Sequence, residues 1–192
     1  MMRPVTVADN PAGSQGATAV PSSLAPDIVA SPTPLRSVTS LSALALTLPY
    51  GTCPRDDLAS AGQPSAAQLA AAARAGVRTV IDLRAAPEPR GFDEAAAVEA
   101  AGMEYVLLPV TPATLDDATF TRFLGVVRDK GKRPLLVHCA TANRVGGLLL
   151  PYFLIDEKMP EAAALQLAQE IGLRSAEYAR MGIDYARRHA GA

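Results

Sequence analysis

The sequence predicts an α/β fold with a mostly parallel central sheet and helices on both faces. Three short apolar segments rich in β-branched residues are typical of buried strands, at residues 77–84, 103–110 and 133–139. Helical stretches lie between these segments and after the last of them. Because parallel strands need long crossover connections, which are usually helical, this alternation indicates a three-layer arrangement.

Helix boundaries support the same order of elements. Ser65 is placed to cap a helix, and Gln68 three residues later completes a capping box. Gly76 ends this alanine-rich helix, and Gly102 ends the next one, in FDEAAAVEAAGM. Each predicted helix therefore leads directly into a predicted strand.

The second half of the chain continues the pattern with more helix. A helix is predicted from about residue 116 to 130, before the strand at 133–139. The almost wholly apolar stretch RVGGLLLPYFLIDE predicts a central helix that Pro151 kinks. Two closing helices are predicted in PEAAALQLAQEIGL and SAEYARMGIDYARRHA.

Composition divides the chain into a tail and one domain. Residues 1–40 contain six prolines and much Ser, Ala, Thr and Gly, which predicts a flexible segment. Residues 45–190 are long enough, in a chain of 192 residues that is 49% hydrophobic, for one domain with its own core.

Charge and cysteine content exclude several classes of protein. A net charge of −1 with scattered Lys and Arg argues against a nucleic-acid partner or a polybasic membrane surface. The two cysteines, Cys53 and Cys139, are too few for a disulfide framework, so free thiols in a reducing cytoplasm are expected. Cys53 is an ordinary free thiol in this interpretation, and a resolving thiol for oxidised Cys139 is the alternative. The absence of a leader-like or membrane-spanning stretch also favours a cytoplasmic protein.

The segment VHCATANRVGG, residues 137–147, combines a nucleophile with an anion-binding side chain. It lies at the carboxyl end of the third predicted strand, where ligands bind in open α/β sheets. Backbone N–H groups of the turn and the positive end of the helix dipole form an anion cradle. Cys139 opens the turn and Arg144 closes it, so a stabilised thiolate and a planar guanidinium face one tetrahedral oxyanion. The alternative is a buried cysteine that serves only as a small hydrophobe.

HCATANRVGG resembles the signature of cysteine-dependent protein phosphatases, shortened by one residue to Cys-x4-Arg. AGQPSAAQLAAAARAGVRTVIDLR and DEAAAVEAAGMEYVLLPV are similar to a bacterial subgroup of the protein tyrosine phosphatase-like family. That subgroup is related to the domain fused to beta-lactamase-like hydrolases. The resemblance covers about residues 58–155 and implies a cysteine-phosphatase-like fold of the dual-specificity type.

The resemblance also implies roles for individual residues. Cys139 would be the nucleophile that forms a phosphocysteine, and Arg144 would bind the phosphoryl group. No metal or organic cofactor would be needed, and the substrate would be a phosphorylated protein or a small phosphate ester. His138 is expected to lie buried beneath the loop and to hold its backbone. The backbone of the loop would cradle the phosphate oxygens, through Ala140, Thr141, Ala142, Asn143 and Arg144.

The sequence departs from the family pattern inside the loop. The loop contains no glycine, so any left-handed position falls on another residue, and Asn143 is the best candidate. Val145 stands where relatives carry a hydroxyl that aids loss of phosphate from the cysteine. Thr141 is the residue that could replace that hydroxyl.

The sequence does not assign the role of general acid to a single residue. Relatives supply an Asp from the loop after the strand that precedes the catalytic strand, and Asp116 is the candidate in LPVTPATLDD. Asp117 is the neighbouring candidate, and the alternative, which the pair fits better, is a helix cap and a first-turn acid. Asp82 and Arg84 point to the same edge of the sheet, where they either shape the pocket or pair with each other.

Two other functions remain open on the sequence. A rhodanese-type sulfurtransferase also uses a Cys-x4-Arg loop, although its Gly-His-Ile-Pro-Gly-Ala segment is missing here. A degenerate phosphate-binding module without turnover is the third interpretation, because of Val145 and the unassigned acid.

Overall fold

A computed structural model describes residues 40–191, so the tail predicted for residues 1–40 lies outside the described residues except for its last position. This part of the chain contains five strands and seven α-helices, which alternate from α2 to α5. The strands are β1 Thr52–Arg55, β2 Leu58–Ala61, β3 Thr79–Asp82, β4 Glu104–Leu107 and β5 Leu135–His138. The helices are α1 Leu41–Ala45, α2 Ala66–Arg74, α3 Glu94–Ala100, α4 Asp117–Arg128, α5 Asn143–Ile155, α6 Glu161–Ile171 and α7 Ala176–His189.

The strands form one mixed sheet in the order β1-β2-β5-β3-β4. Only β1 is antiparallel to its neighbour, so the prediction of a mostly parallel sheet is confirmed. The last residue of β5, His138, pairs with Ala61 on one side and with Asp82 on the other. The three central strands therefore end level, and the loop after β5 emerges between two other strand ends.

Each face of the sheet carries its own hydrophobic cluster. Val137 and Cys139 belong to a cluster with side chains of α4, α5, α6 and α7, whereas Leu136 belongs to a cluster with α1, α2 and α3. Successive strand residues point to opposite faces, which produces this division. The predicted three-layer arrangement is confirmed. Cys53 packs against the second cluster, and both cysteines are free thiols.

The helix signals in the sequence correspond to real boundaries. The capping box of Ser65 and Gln68 begins α2. Gly76 and Gly102 follow α2 and α3 with φ of 89° and 79°, which few residues other than glycine adopt. Pro151 lies inside α5 as predicted. Within residues 40–191, no helix has both the length and the apolar content to cross a bilayer.

Candidate active site

The loop between β5 and α5 is held by the segment that follows β2. The Cys139 N–H donates to the carbonyl of Ala61 at 3.3 Å, and the Gln63 N–H donates to the carbonyl of Ala140 at 3.2 Å. Between them, Gly62 lies so close that a Cβ there would be 2.7 Å from the Ala140 oxygen. Only glycine allows this approach, which explains the glycine in AGQP. These contacts therefore fix the backbone at the start of the loop.

The left-handed position of the loop is Ala142, with φ 62°, and not Asn143 as the sequence predicts. Asn143 is instead the first residue of α5, and its Oδ1 accepts hydrogen bonds from the N–H groups of Arg174 and Ser175. Gly172 lets the end of α6 pack here, because a Cβ at that position would be 2.9 Å from the Cβ of Ala142. Long-range packing thus decides which residue takes the strained conformation.

Arg144 is oriented by three partners at one end of its guanidinium. Its Nη1 donates to the carbonyls of Leu83 at 3.3 Å and Val110 at 3.2 Å. Nη1 and Nη2 donate to the two carboxylate oxygens of Glu88, at 2.5 and 2.6 Å. The Nε–H and the second Nη2–H donate to no protein oxygen within the described part of the chain. These two N–H groups form the planar edge that can bind two oxygens of an anion.

The charges around Arg144 keep its guanidinium protonated, as an anion-binding site requires. The hydrogen bond with Glu88 raises the pKa of Arg144, and the nearby charge of Cys139 acts in the same direction against the effect of burial. The same hydrogen bond lowers the pKa of Glu88, so this carboxylate stays ionised at neutral pH. The pair therefore presents a charged guanidinium in a fixed orientation.

Sequence reasoning missed Glu88. It lies in the loop after β3, 56 residues before its partner Arg144, and no local pattern links the two. The only available signal was an acidic residue in PEPRGF, directly after VIDLR, at the edge where the loop of Cys139 was already predicted. A cation that must hold one orientation needs a counter-charge, and this acid is the one the fold supplies.

Replacing Glu88 with Gln is expected to lower kcat/KM for a phosphate ester about tenfold, mainly through a higher KM, because the guanidinium edge loses its fixed direction. Steady-state kinetics on Glu88→Gln measure kcat and KM separately. Glu99→Gln, on the exposed face of α3, is the matched control and should behave as wild type. A lower KM in Glu88→Gln would contradict the role and indicate that Glu88 competes with the substrate.

A buried ion cluster lies behind the loop. Arg84 donates to both carboxylate oxygens of Asp82, each at 3.0 Å, and also to Glu94. All three side chains are at most 1% exposed. Arg90 and Tyr105 add further hydrogen bonds to Asp82. The structure thus shows the second alternative, in which Asp82 and Arg84 pair with each other.

His138 is fully buried, as predicted, but its ring does not hold the loop backbone. Its Nε2 lies 2.7 Å from Oε1 of Glu94, without the alignment of a hydrogen bond, and neither ring nitrogen has another partner among residues 40–191. Asp82, Glu94 and His138 are of the types that bind metal, and their polar atoms lie within 4.8 Å of one another. Arg84 is paired with both carboxylates and Arg90 with Asp82, so two cations already balance the two negative charges and this cluster does not fit a metal ion.

Asp116 is the N-cap of α4. Its Oδ1 accepts from the backbone N–H and the hydroxyl of Thr119, each at 2.8 Å, and these bonds lower the pKa of its carboxyl. Asp117 forms an exposed ion pair with Arg188. An acid must carry a proton at the working pH, and this environment favours the ionised form of Asp116. The role of Asp116 as the general acid stays a prediction.

Two substitutions distinguish the role of Asp116 as a helix cap from its role as a general acid. Asp116→Asn keeps capping ability but has no acidic proton, and Asp116→Ala loses both. From the cap geometry we expect Asp116→Asn to retain wild-type kcat on an alkyl phosphate, and Asp116→Ala to lower Tm by a few degrees. Circular dichroism and steady-state assays measure the two effects. A large loss of kcat in Asp116→Asn with unchanged Tm would instead establish the acid.

Three further side chains lie around the loop. Val145 is fully buried in the same cluster as Cys139, whereas Thr141 is exposed. Tyr178 packs over Gly147 of α5, and burial raises the pKa of its phenol, on which the charges of Arg144 and Cys139 also act. Tyr178 belongs to the same hydrophobic cluster as Val145 and Cys139.

Comparison with solved structures supports the same fold. A DUF442 protein from Shewanella putrefaciens CN-32 has a TM-score of 0.64 at 23% identity, over 77% of this chain and 97% of that one. Tk-PTP in its active form has a TM-score of 0.64 at 17% identity, over 73% and 98% of the two chains. TpbA from P. aeruginosa has a TM-score of 0.58 at 24% identity, over 80% and 92%. These likenesses show a fold of the tyrosine and dual-specificity phosphatase type.

Among curated proteins, no relative matches this chain. A family model, described as DSP-PTPase phosphatase fused to NAD+ kinase, matches residues 55–174. The match runs from the first strand past the loop of Cys139 to the end of the α6 region, which is more than half of the chain. The chain therefore belongs to this family of dual-specificity-type phosphatases.

Proposed function

We propose that the protein hydrolyses phosphoric monoesters through a cysteine nucleophile. The observation that carries the proposal is the oriented guanidinium of Arg144: Glu88 and two backbone carbonyls hold one side of it, and its Nε–H and second Nη2–H donate to no protein oxygen among residues 40–191. A phosphoryl group bound by these two donors and by the loop N–H groups would present its phosphorus to the thiolate. The family of the chain supports the same chemistry.

The proposed reaction has two steps. The Cys139 thiolate attacks phosphorus, the bond to the ester oxygen breaks, and the leaving oxygen takes up a proton. Water then attacks the phosphocysteine, which releases inorganic phosphate and restores the thiolate. Asp82 and Glu94 are buried and bound to Arg84, so neither fits as the proton donor. Aryl leaving groups, which depart with little protonation, therefore suit the site better than alkoxides.

A phosphorylated protein is the proposed substrate, with phosphotyrosine before phosphoserine. TpbA has been crystallised in a complex with pTyr, and its fold is the one found here. The rim of the loop is exposed at Ala140 and Thr141, which suits a phosphorylated side chain presented by a larger molecule.

Purified protein given an aryl phosphate, with and without vanadate, tests the proposal. We expect vanadate-sensitive release of phosphate and, after rapid quenching, label from a ³²P substrate on Cys139. Thiosulfate and cyanide supplied in parallel test the sulfurtransferase, and thiocyanate formation would overturn the proposal. Stoichiometric binding of phosphate without turnover would instead establish the binding module. Slow decay of the labelled cysteine would show that hydrolysis of the phosphocysteine limits turnover, and would implicate Val145.

A further inference from the structure

The hydroxyl of Tyr178 lacks the protein partner that comparable tyrosines have. Three tyrosines belong to the hydrophobic cluster that contains Cys139 or pack against it: Tyr152, Tyr178 and Tyr185. The Tyr152 oxygen accepts from Arg133 at 3.3 Å, and the Tyr185 hydroxyl forms a hydrogen bond with that of Thr121 at 3.1 Å. Tyr178 is only 6% exposed, yet its hydroxyl has no hydrogen bond to any group among residues 40–191. Phenols so deeply placed usually find a partner, so this one is available to bind something other than the folded chain.

Tyr178 lies at the same end of the helices as the loop. Oδ1 of Asn143, the first residue of α5, accepts from the N–H of Ser175 at 3.1 Å, and Ser175 caps α7. About one turn further along both helices, a Cβ on Gly147 would lie 2.8 Å from the Cβ of Tyr178. These contacts advance together, so α5 and α7 run side by side in the same direction. The first turn of α7, which carries Tyr178, therefore packs against the part of α5 that directly follows the loop.

The charges of the site act on this phenol. Burial raises the pKa of Tyr178, the charge of Arg144 acts against this effect, and the charge of Cys139 adds to it. Tyr178 therefore keeps its proton at neutral pH and is a hydrogen-bond donor. The loop itself offers no equivalent donor, because Val145 is apolar and fully buried and Thr141 is exposed at the rim.

We propose that the Tyr178 hydroxyl donates a hydrogen bond to the sulfur of Cys139 while the phosphocysteine is hydrolysed, in place of a hydroxyl at residue 145. The inference rests on the proposed function and adds a catalytic residue to its second step. Water attacks phosphorus, the P–S bond breaks, and its electron pair stays on sulfur as the thiolate. The water oxygen and both of its protons leave with the phosphoryl group as dihydrogen phosphate. Tyr178 gives up no proton, and its O–H dipole stabilises the negative charge as it develops on sulfur.

Tyr178→Phe removes the hydroxyl and keeps the ring that packs on Gly147, so its Tm should match that of wild type. We expect the ³²P label on Cys139, formed from an aryl phosphate, to decay about ten- to a hundredfold more slowly in this variant. Formation of the label and kcat/KM should stay within about twofold of wild type, because both report only the steps before the decay. Rapid quenching after a chase with unlabelled substrate measures the decay. Tyr185→Phe, on the same helix, is the matched control and should behave as wild type.

The outcomes distinguish this inference from the proposed function. Equal decay in Tyr178→Phe and wild type would overturn the inference and leave the proposed function intact. Slower formation of the label with unchanged decay would also overturn it, since the hydroxyl would then serve the first step. If wild-type Cys139 takes up no label, the proposed function itself fails, and the inference fails with it.

A second variant tests whether Tyr178 stands in for a hydroxyl at residue 145. Val145→Thr adds a hydroxyl with little change of shape, and it should speed the decay more in the Tyr178→Phe background than in wild type. The same quench and chase measures both gains. A gain of equal size in the two backgrounds would show that the hydroxyls act independently, which contradicts the inference.

Discussion

Replacement of Cys139 by serine should abolish phosphate release, by a factor of more than about 10⁴, while phosphate binding remains. A serine hydroxyl at this position lacks a neighbouring base, so it is a far weaker nucleophile than a thiolate. The loop N–H groups and Arg144 are untouched by the change, because the backbone bonds of Ala61 and Gln63 hold the loop. Turnover and binding should therefore separate in one variant.

Two measurements check this expectation. Phosphate release from an aryl phosphate gives the loss of turnover, and calorimetry with inorganic phosphate gives the retained affinity. Cys53→Ser is the matched control, since Cys53 packs against the other face of the sheet and should have no effect on either quantity. Residual activity within a hundredfold of wild type in Cys139→Ser would rule out the cysteine mechanism.

Arg84→Met should be the most destabilising substitution near the site, by about 3–5 kcal/mol. Arg84 is 1% exposed and lies between two carboxylates, Asp82 and Glu94, that are both fully buried. Methionine has a similar volume, so the loss comes from two buried carboxylates that lose their shared cation and not from a cavity; Glu94 is affected most, since Arg90 still binds Asp82. Urea unfolding measures the change, and Arg122→Met on exposed α4 surface is the control.

The pH dependence of stability identifies the cause. Burial alone would raise the pKa of Asp82, but the hydrogen bonds from Arg84 bring it down to about 2, from an ordinary 3.8. A carboxyl with a depressed pKa contributes stability above its unfolded pKa, and that contribution is lost as the pH falls. Wild type should therefore lose about 1.5–2 kcal/mol between pH 4 and pH 2 through this group. Arg84→Met should lose less over the same range, and an equal loss would place the effect elsewhere.

The sequence predicted the three helix–strand units that end in β3, β4 and β5, but not the first hairpin. The strands β3, β4 and β5 are β-branched or strongly apolar, so their pattern is visible locally. By contrast, β2 consists of LASA, whose alanines and serine have low strand propensity. Its four residues are strand because β5 pairs with them in parallel, 77 residues further along the chain. Pairing over such a separation leaves no local signal.

Prediction of the site divides in the same way. Cys139 and Arg144 share one loop, and a short motif identifies them together. Glu88 comes from another loop, and its role becomes visible only when the fold brings it into contact with Arg144. The left-handed position was wrong by one residue because the carbonyl oxygen of the Asn143 side chain is bound by the start of α7, a contact that no local rule anticipates.

The left-handed Ala142 bears on the thermodynamics of anion binding. An alanine in this conformation costs about 1–2 kcal/mol, which packing against Gly172 offsets in the folded chain. Glycine would avoid the cost, but it would also give the loop more states to lose when an anion arrives. The loop is thus ordered when the chain folds, so the entropic cost of ordering it does not recur in each catalytic cycle. Capture of a phosphate by this loop should accordingly carry little conformational entropy, and its affinity should depend chiefly on enthalpy and on salt.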